Sequence, residues 1–309
     1  MVRIQRTKLR GLVVGHLVID LVIHQGKVRK SIGGAAAYSS IALKRYGVDV
    51  AIVSKVGRDF PEEYLLFLAR NGVDISYVKM SKTNSTRFKL VYENGRRKLF
   101  LASRCEEILS EDLPQTLNYD LIHVGPVANE VPIAILKKLR KSKSIISLDL
   151  QGYVRSFKNG LVVYSYNDEA MNALRYANIV HGDEDEVTIL GRDGDVLKSA
   201  LKLLDRGPDI LLVTKGDKGS YVLSKDKILF VPAPKPRKVV DPTGAGDIYT
   251  SIFLAHYVTS GDIEESAVIA SSAASLSVEE EGLSGVSTYE EIKKRAKSIR
   301  DAVKEVKVS

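Results

Sequence analysis

The chain has 309 residues, with 46 Lys+Arg against 38 Asp+Glu for a net charge of +8, 44% hydrophobic residues and 27% charged residues. That balance describes an ordinary globular protein, long enough for one α/β domain with a small appendage. One cysteine, Cys105, excludes an internal disulfide or a cysteine-based zinc cluster, the five scattered histidines form no H-E-x-x-H pair, and no apolar stretch approaches the ~20 residues of a membrane span.

The basic start Met1–Arg6 is not followed by an apolar h-region, so a cytosolic (cytoplasmic) protein is expected. Residues 8–16 form an apolar run ending in Gly15-His16 and read as a buried strand. Residues 17–23 continue as an extended piece containing Asp20. An apolar strand does not bury an acid without a partner, so Asp20 is either bonded to a loop or aimed at a polar ligand. Gly33-Gly34 permits close backbone approach, and Ala35, Tyr38, Ala42 and Tyr46 follow at helical spacing until Gly47. The pair reads either as a plain tight turn or as a glycine-rich helix start facing a ligand. After a strand at Val50–Val56, Asp59 is expected to cap a helix through Pro61 and Glu62 to Asn71-Gly72.

Residues 75–103 alternate polar and apolar around Asn94-Gly95, a hairpin signal, with Phe88, Leu90 and Tyr92 on one side and Leu99 and Leu101 on the other. Together with residues 17–30 they predict a small β-sheet lid on a single domain spanning 1–309. Thereafter strands Leu121–Val124, Ile145–Leu148, Ile179-Val180 and Ile210–Thr214 alternate with helices Val131–Arg140 and Asp195–Asp205. A hairpin-like pair, Tyr221–Leu223 and Ile228–Val231, precedes a helix from Ile248, another over Ala267–Val278, and a charged final helix over Glu290–Lys307. Alternating strands and helices predict a parallel sheet covered on both faces, with ligands beyond the C-terminal strand ends. His16/Asp20, Asp149/Gln151, Asp183–Glu186 and Thr214–Gly219 all follow predicted strands and can line one rim.

Three motifs fail. No G-x-x-x-x-G-K-[ST] is present, so this is not a P-loop protein. Gly244-Ala245-Gly246 opens like a dinucleotide fingerprint, but Tyr249 holds the third glycine position. Asp183–Glu186 lacks the glycine of a calcium loop. The basic charges fall in short clusters, Arg96-Arg97-Lys98 and Lys137–Lys143, so a generally positive surface is expected and no nucleic-acid partner.

The informative stretch is Val239–Asp247. Its glycines precede a helix, and a helix N-terminus with converging backbone N–H groups suits a phosphate. Asp247 would repel that anion. Either it merely caps the helix, or it is a base that takes a proton from a hydroxyl attacking the phosphate.

Asp241-Pro242-Thr243-Gly244-Ala245-Gly246-Asp247 resembles, at all seven positions, the C-terminal signature of the ribokinase/PfkB carbohydrate kinases. The likeness extends in order through Gly33-Gly34, Val56-Gly57-Arg58-Asp59, the acidic 183–186 and Thr214–Gly219. It implies a three-layer α/β/α Rossmann-like fold with a β lid, ATP and Mg²⁺ as cofactors, and transfer of the γ-phosphate to an alcohol. A monovalent cation and a homodimer formed through the lid accompany some relatives.

By that resemblance Asp247 matches the catalytic base, and Gly244, Ala245 and Gly246 match the anion hole. Asp20, Gly33 and Gly34 match substrate-hydroxyl positions, and Thr214, Gly216 and Gly219 match the nucleotide-side turn. The family's Asn-x-x-Glu, which orders Mg²⁺ and its waters, aligns best on Asp183 and Glu186, with Asp replacing Asn; an alternative register uses His181 and Glu184. A second departure is the run Ala35-Ala36-Ala37-Tyr38-Ser39, where the family often has Asn.

Ser147–Arg155, Gly33–Ala36 and Val53–Phe60 look most like the myo-inositol kinase branch. A furanose, hexose or nucleoside acceptor is the alternative, and a sugar-binding sensor without transfer is the reading from another class. Gln151, Arg155 and Arg87 are further candidate partners of the polyol hydroxyls.

Overall fold

The computed structural model describes residues 8–24, 27–93 and 96–307. The Asn94-Gly95 turn and the basic Met1–Arg6 lie outside the described residues. In chain order the elements are β1 (Arg10–Val14), β2 (Val18–His24), β3 (Lys27–Gly33), α1 (Ala35–Tyr46), β4 (Asp49–Val56), α2 (Glu62–Arg70) and β5 (Asp74–Met80). Next come β6 (Thr86–Glu93), β7 (Arg96–Ser103), β8 (Leu121–Val124), α3 (Ile133–Leu139), β9 (Ile145–Asp149), α4 (Gln151–Val154), β10 (Arg155–Lys158) and β11 (Leu161–Tyr164). Then follow α5 (Asp168–Ala173), β12 (Ile179–Asp183), α6 (Glu184–Gly191), α7 (Val196–Leu204), β13 (Ile210–Thr214), β14 (Ser220–Ser224) and β15 (Ile228–Val231). The chain closes with α8 (Ala245–Ser260), α9 (Ile263–Ser277), α10 (Tyr289–Ala296) and β16 (Lys304–Glu305).

Ten strands form the main sheet in the order β16-β15-β14-β13-β12-β9-β8-β1-β4-β5. From β13 to β5 the neighbours are parallel; β14, β15 and β16 extend the sheet antiparallel. Successive strand residues face opposite layers. Val13, Ile52 and Leu212 pack in one core with Ile41, Leu68, Phe253, Ile269 and Ile292 of α1, α2, α8, α9 and α10. Their neighbours Leu12, Val14, Ala51, Val53, Leu211 and Val213 pack in the other core with Leu136, Ala170, Val187 and Leu203 of α3, α5, α6 and α7. The result is the expected α/β/α sandwich.

The second sheet has the order β10-β11-β7-β6-β2-β3. Val18, Phe88 and Leu90 of this lid join Ala35, Val127 and Ala128 of the body in a third, smaller core. Its composition corrects the expected bounds. Residues 74–80 pair with β4 at the edge of the main sheet, because Val53 to Val56 meet Tyr77 to Met80 there. In their place β11 pairs with β7, and β10 pairs with β11 to complete the lid.

Two other expectations are corrected. Asp59 does not cap α2, whose N-cap is Pro61; its carboxylate accepts instead from the Ser85 N–H and hydroxyl at 2.7 and 2.8 Å. The charged C-terminus is not one helix: α10 ends at Ala296, and Lys304–Glu305 adds an edge strand to β15.

Candidate active site

Three strands of the main sheet deliver their ends to one place. Asp149 ends β9, Asp183 ends β12, Thr214 ends β13, and the α8 N-terminus faces them. With the lid above, they enclose a cavity of about 730 Å³. Asp20, Gly34, Gln151 and Arg155 line it on one side, and Asp183, Glu186, Thr214 and Gly216 on another; Gly244, Gly246 and Asp247 line it at the head of α8. Lid residues Phe88, Leu90, Leu99, Leu161 and Val162 supply an apolar wall, with Lys98 and Tyr164 also on the lining.

The glycine turn forms because only glycine fits it. Gly244 is the α8 N-cap at φ 80°, in the left-handed region. A Cβ there would lie 2.3 Å from the Tyr38 ring, so Tyr38 packs directly on the turn. Asp241 Oδ1 accepts from the Thr243 N–H at 3.0 Å and shapes the approach. The helical ladder starts with Ile248 N–H donating to the Gly244 carbonyl at 2.9 Å, so the N–H groups before it lie at the open, positive end. Ala245 departs from the expected role. Its N–H donates to the Pro242 carbonyl at 3.3 Å, and the residue does not line the cavity.

Asp247 is half-buried in the first turn of α8 and does not act as its cap. Gln151 Nε2 donates to its Oδ1 at 2.9 Å. Burial and the nearby Asp149 charge push its pKa up to about 7, while His181, Arg155 and Gln151 pull the other way. This is the range in which a carboxylate exchanges protons near neutrality.

On the acceptor side, Asp20 lies on the lid strand β2 and is buried. A Cβ on Gly33 would fall 1.8 Å from Asp20 Oδ2, so Gly33 makes room for that carboxylate and does not itself line the cavity. Gly34, at φ 86°, starts α1, and a Cβ there would meet the His16 carbonyl at 2.6 Å. Arg155 Nη1 donates to the Val127 carbonyl at 3.1 Å, and its guanidinium lies 5.7 Å from the Phe88 ring centre.

Arg87 is elsewhere. Because β6 turns Phe88 and Leu90 to the cavity, the alternate Arg87 faces away and pairs with Asp59 at 2.8 Å. Gly219 is also off the cavity. At φ 114°, where a Cβ would stand 2.3 Å from the Val231 carbonyl, it serves the turn into β14.

Asp183 and Glu186 form a reciprocal cap on α6. Asp183 Oδ1 accepts from the Glu186 N–H at 2.8 Å, and Glu186 Oε2 accepts from the Asp183 N–H at 3.0 Å. Both remain on the cavity lining. Burial, Asp183 and Asp149 push Glu186 up to about 8; burial also raises Asp183. Asp149, Asp183, Glu186 and Asp247 thus share one cavity lining with Arg155 and His181. Among the described residues no group of three His, Cys, Asp or Glu is placed to hold a metal outright. That donor set fits magnesium, which keeps most of its waters and takes one or two carboxylates beside substrate phosphates.

In the alternative register, with His181 and Glu184 in those roles, His181 lines the cavity and Glu184 does not. Glu184 turns to Lys215 at 3.3 Å, and His181 bonds Asp149 at 2.8 Å and Thr214 at 3.0 Å. The Asp149–His181 pair is a feature that residue spacing did not reveal. Only the sheet order, which seats β9 beside β12 and β12 beside β13, brings the three side chains together.

The sequence model of the pfkB family carbohydrate kinases matches residues 8–289. The chain belongs to that family. A nucleoside kinase from Methanocaldococcus jannaschii is 28% identical over 305 residues, covering 93% of this chain and 96% of its own. Inositol 3-kinase from Arabidopsis thaliana is 27% identical over 285 residues, covering 88% of this chain and 75% of its own. Among solved structures, a pyrophosphate-dependent kinase of the ribokinase family, complexed with a pyrophosphate analogue and myo-inositol, superposes with a TM-score of 0.81. Its 23% identity, over 92% of this chain and 99% of that one, speaks to the fold. This pfkB kinase therefore shares its architecture with enzymes that phosphorylate different alcohols. Among the described residues, no helix is long and apolar enough to cross a membrane.

Proposed function

We propose that this pfkB kinase moves the γ-phosphate of ATP to a hydroxyl of a small polyol, with Asp247 as the general base. The observation that carries the reading is a half-buried carboxylate lining the cavity, its pKa pushed up to about 7, on the first turn of the helix whose open end faces the same cavity. Asp247 takes the proton of the acceptor hydroxyl while that oxygen bonds to the γ-phosphorus. The bond from phosphorus to the ADP oxygen breaks, and ADP leaves. Gln151 aims the carboxylate, and the open end of α8 at Gly244 and Gly246 stabilises the charge on the transferring group. Glu186, with Asp183, would hold magnesium through its waters; when bound, the ion supplies neutralising charge to the β- and γ-phosphates. The apolar lid wall excludes water from the reaction.

For the acceptor, the polar side chains Asp20, Gln151 and Arg155 on one side of the cavity favour a compact, many-hydroxyl ring, with myo-inositol the leading candidate. A second reading has its own support. Phe88 and the apolar lid wall suit the flat face of a base, and the Methanocaldococcus relative is a nucleoside kinase. An ADP-release assay with myo-inositol, ribose, fructose, adenosine and cytidine, each with Mg-ATP, separates them. Stimulation by myo-inositol above all others supports the first reading. Preference for a nucleoside replaces the acceptor, and stimulation by none favours a ligand-binding sensor.

A further inference from the structure

His181 lines the cavity, yet it belongs neither to the glycine turn nor to the acid pair at the head of α6. It is 4% exposed, and both ring nitrogens are engaged. Nδ1 lies 2.8 Å from Asp149 Oδ2. A carboxylate only accepts, so Nδ1 carries a proton; Nε2 lies 3.0 Å from the Thr214 hydroxyl and bonds it in either charge state, as acceptor in the neutral ring and as donor in the charged one.

The bonds continue in both directions. Asp149 uses its other oxygen to accept from the Gln151 N–H at 3.0 Å, and Gln151 Nε2 donates to Asp247 at 2.9 Å. Thr214 is the last residue of β13, next to the Lys215-Gly216 turn whose glycine lines the cavity. A chain of hydrogen bonds therefore runs from the nucleotide-side strand, through β12 and β9, to the acid facing the acceptor. Burial works against charging His181, but the charge and hydrogen bond of Asp149, together with the Glu186 and Asp183 charges, outweigh it and raise the ring's pKa. Gly246 closes the arrangement: a Cβ there would lie 3.3 Å from His181 Cε1, so the glycine loop rests against the same ring.

We infer that His181 is a positioning residue that couples occupancy of the nucleotide side to the orientation of Asp247, through the Thr214–His181–Asp149–Gln151 hydrogen bonds. A nucleotide settling on the β13 turn fixes Thr214. The rigid imidazole passes that constraint to Asp149 and the α4 N-terminus, so Asp247 meets its hydroxyl in the correct pose only when the donor is in place. The coupling uses the two-ended hydrogen bonding of the ring and needs no change of its charge. A merely structural His–Asp pair would stabilise the sheet but would not connect the two ligands.

The inference rests on the kinase reading above. Its test measures binding of the acceptor chosen by the panel, by calorimetry, with and without the magnesium complex of adenosine 5′-(β,γ-imido)triphosphate. In the wild type the analogue tightens acceptor binding by about fivefold or more. His181→Leu and Thr214→Val each bring that factor to about one, with the acceptor's affinity in the absence of nucleotide kept within about threefold. His181→Gln, whose amide can still donate to Asp149 and accept from Thr214, restores the coupling. Should thermal melts show that His181→Leu does not fold, Thr214→Val and His181→Gln decide the outcome. Coupling that persists in a folded Leu or Val variant, a wild type without coupling, or a Gln variant as uncoupled as Thr214→Val each overturns the inference. A wild type that phosphorylates no acceptor overturns the kinase reading as well; an active wild type with any of those results overturns only the coupling.

Discussion

Asp247 and Gly33 show how a single position sets the chemistry. The Asp247 pKa is raised from 3.8 to about 7, so the free enzyme holds a proton on its base below neutrality. As the proposed base, Asp247 must act in its ionised form. We therefore expect kcat/KM to fall about tenfold per pH unit as pH drops below about 7, a slope set by loss of one proton. A pH–rate profile that stays flat down to pH 5 would contradict the assignment. The same shift has a stability consequence. The folded state holds that proton more tightly than the unfolded chain, so this contribution is full below the ordinary carboxylate range and is lost as pH rises through about 7. Gly33 is a steric case. A methyl group at 1.8 Å from Asp20 Oδ2 must displace that carboxylate. Gly33→Ala is expected to raise KM for the acceptor roughly tenfold, about 1.4 kcal/mol, with nucleotide affinity unchanged; equilibrium binding of each ligand separately checks it.

At the level of elements, α6 carries the sharpest expectation. Its N-terminus is capped by the side chain of Asp183, whose charge also helps raise Glu186 to about 8. Asn caps as well as Asp but carries no charge. Asp183→Asn should keep the stability of the fold and lower the Glu186 pKa, whereas Asp183→Ala should cost about 1 kcal/mol in chemical denaturation. NMR titration of the Glu186 side chain in the Asn variant reads the first effect. An unchanged pKa would show that burial and Asp149, without Asp183, set the shift.

The same element shows what a sequence can and cannot disclose. The acidic run at 183–186 was legible as a rim segment after a strand, whereas its reciprocal cap, which needs only residues three apart and local geometry, went unread. The lid's inner face was legible because strand alternation put Phe88 and Leu90 together. Alternation also places Arg87 on the opposite face, where it meets Asp59 from a much earlier part of the chain. That ion pair is set by pairing of distant segments and has no local signature. β10 and β11 escaped notice because each is a short strand held by pairing, β10 with β11 and β11 with β7, and not by a strong pattern of its own. β5 shared the polar-apolar rhythm of the lid strands, and only its partner, β4, assigns it to the body.

On the scale of the molecule, two sheets divide the work. The main sheet gathers acids and the open end of α8 at the ends of its parallel strands, a position that repeated β–α connections create in any such fold. The lid adds an apolar wall and one acid, Asp20. Arg29 of the lid strand β3 ties the two together, pairing with Glu281 and lying 3.9 Å from Asp241, the residue that shapes the glycine turn. In the proposed reading, acceptor choice belongs mainly to the lid and α4, and donor handling and the base to the body. This division explains why relatives with one architecture act on different alcohols.

Kinetics of Asp247→Asn, with the acceptor identified by the panel, test the central claim most directly. The amide keeps the size of the side chain and removes its ability to take a proton. Turnover is expected to fall by about 10²-fold or more, as for loss of a general base, with Mg-ATP binding nearly intact. Turnover close to that of the wild type would contradict Asp247 as the base.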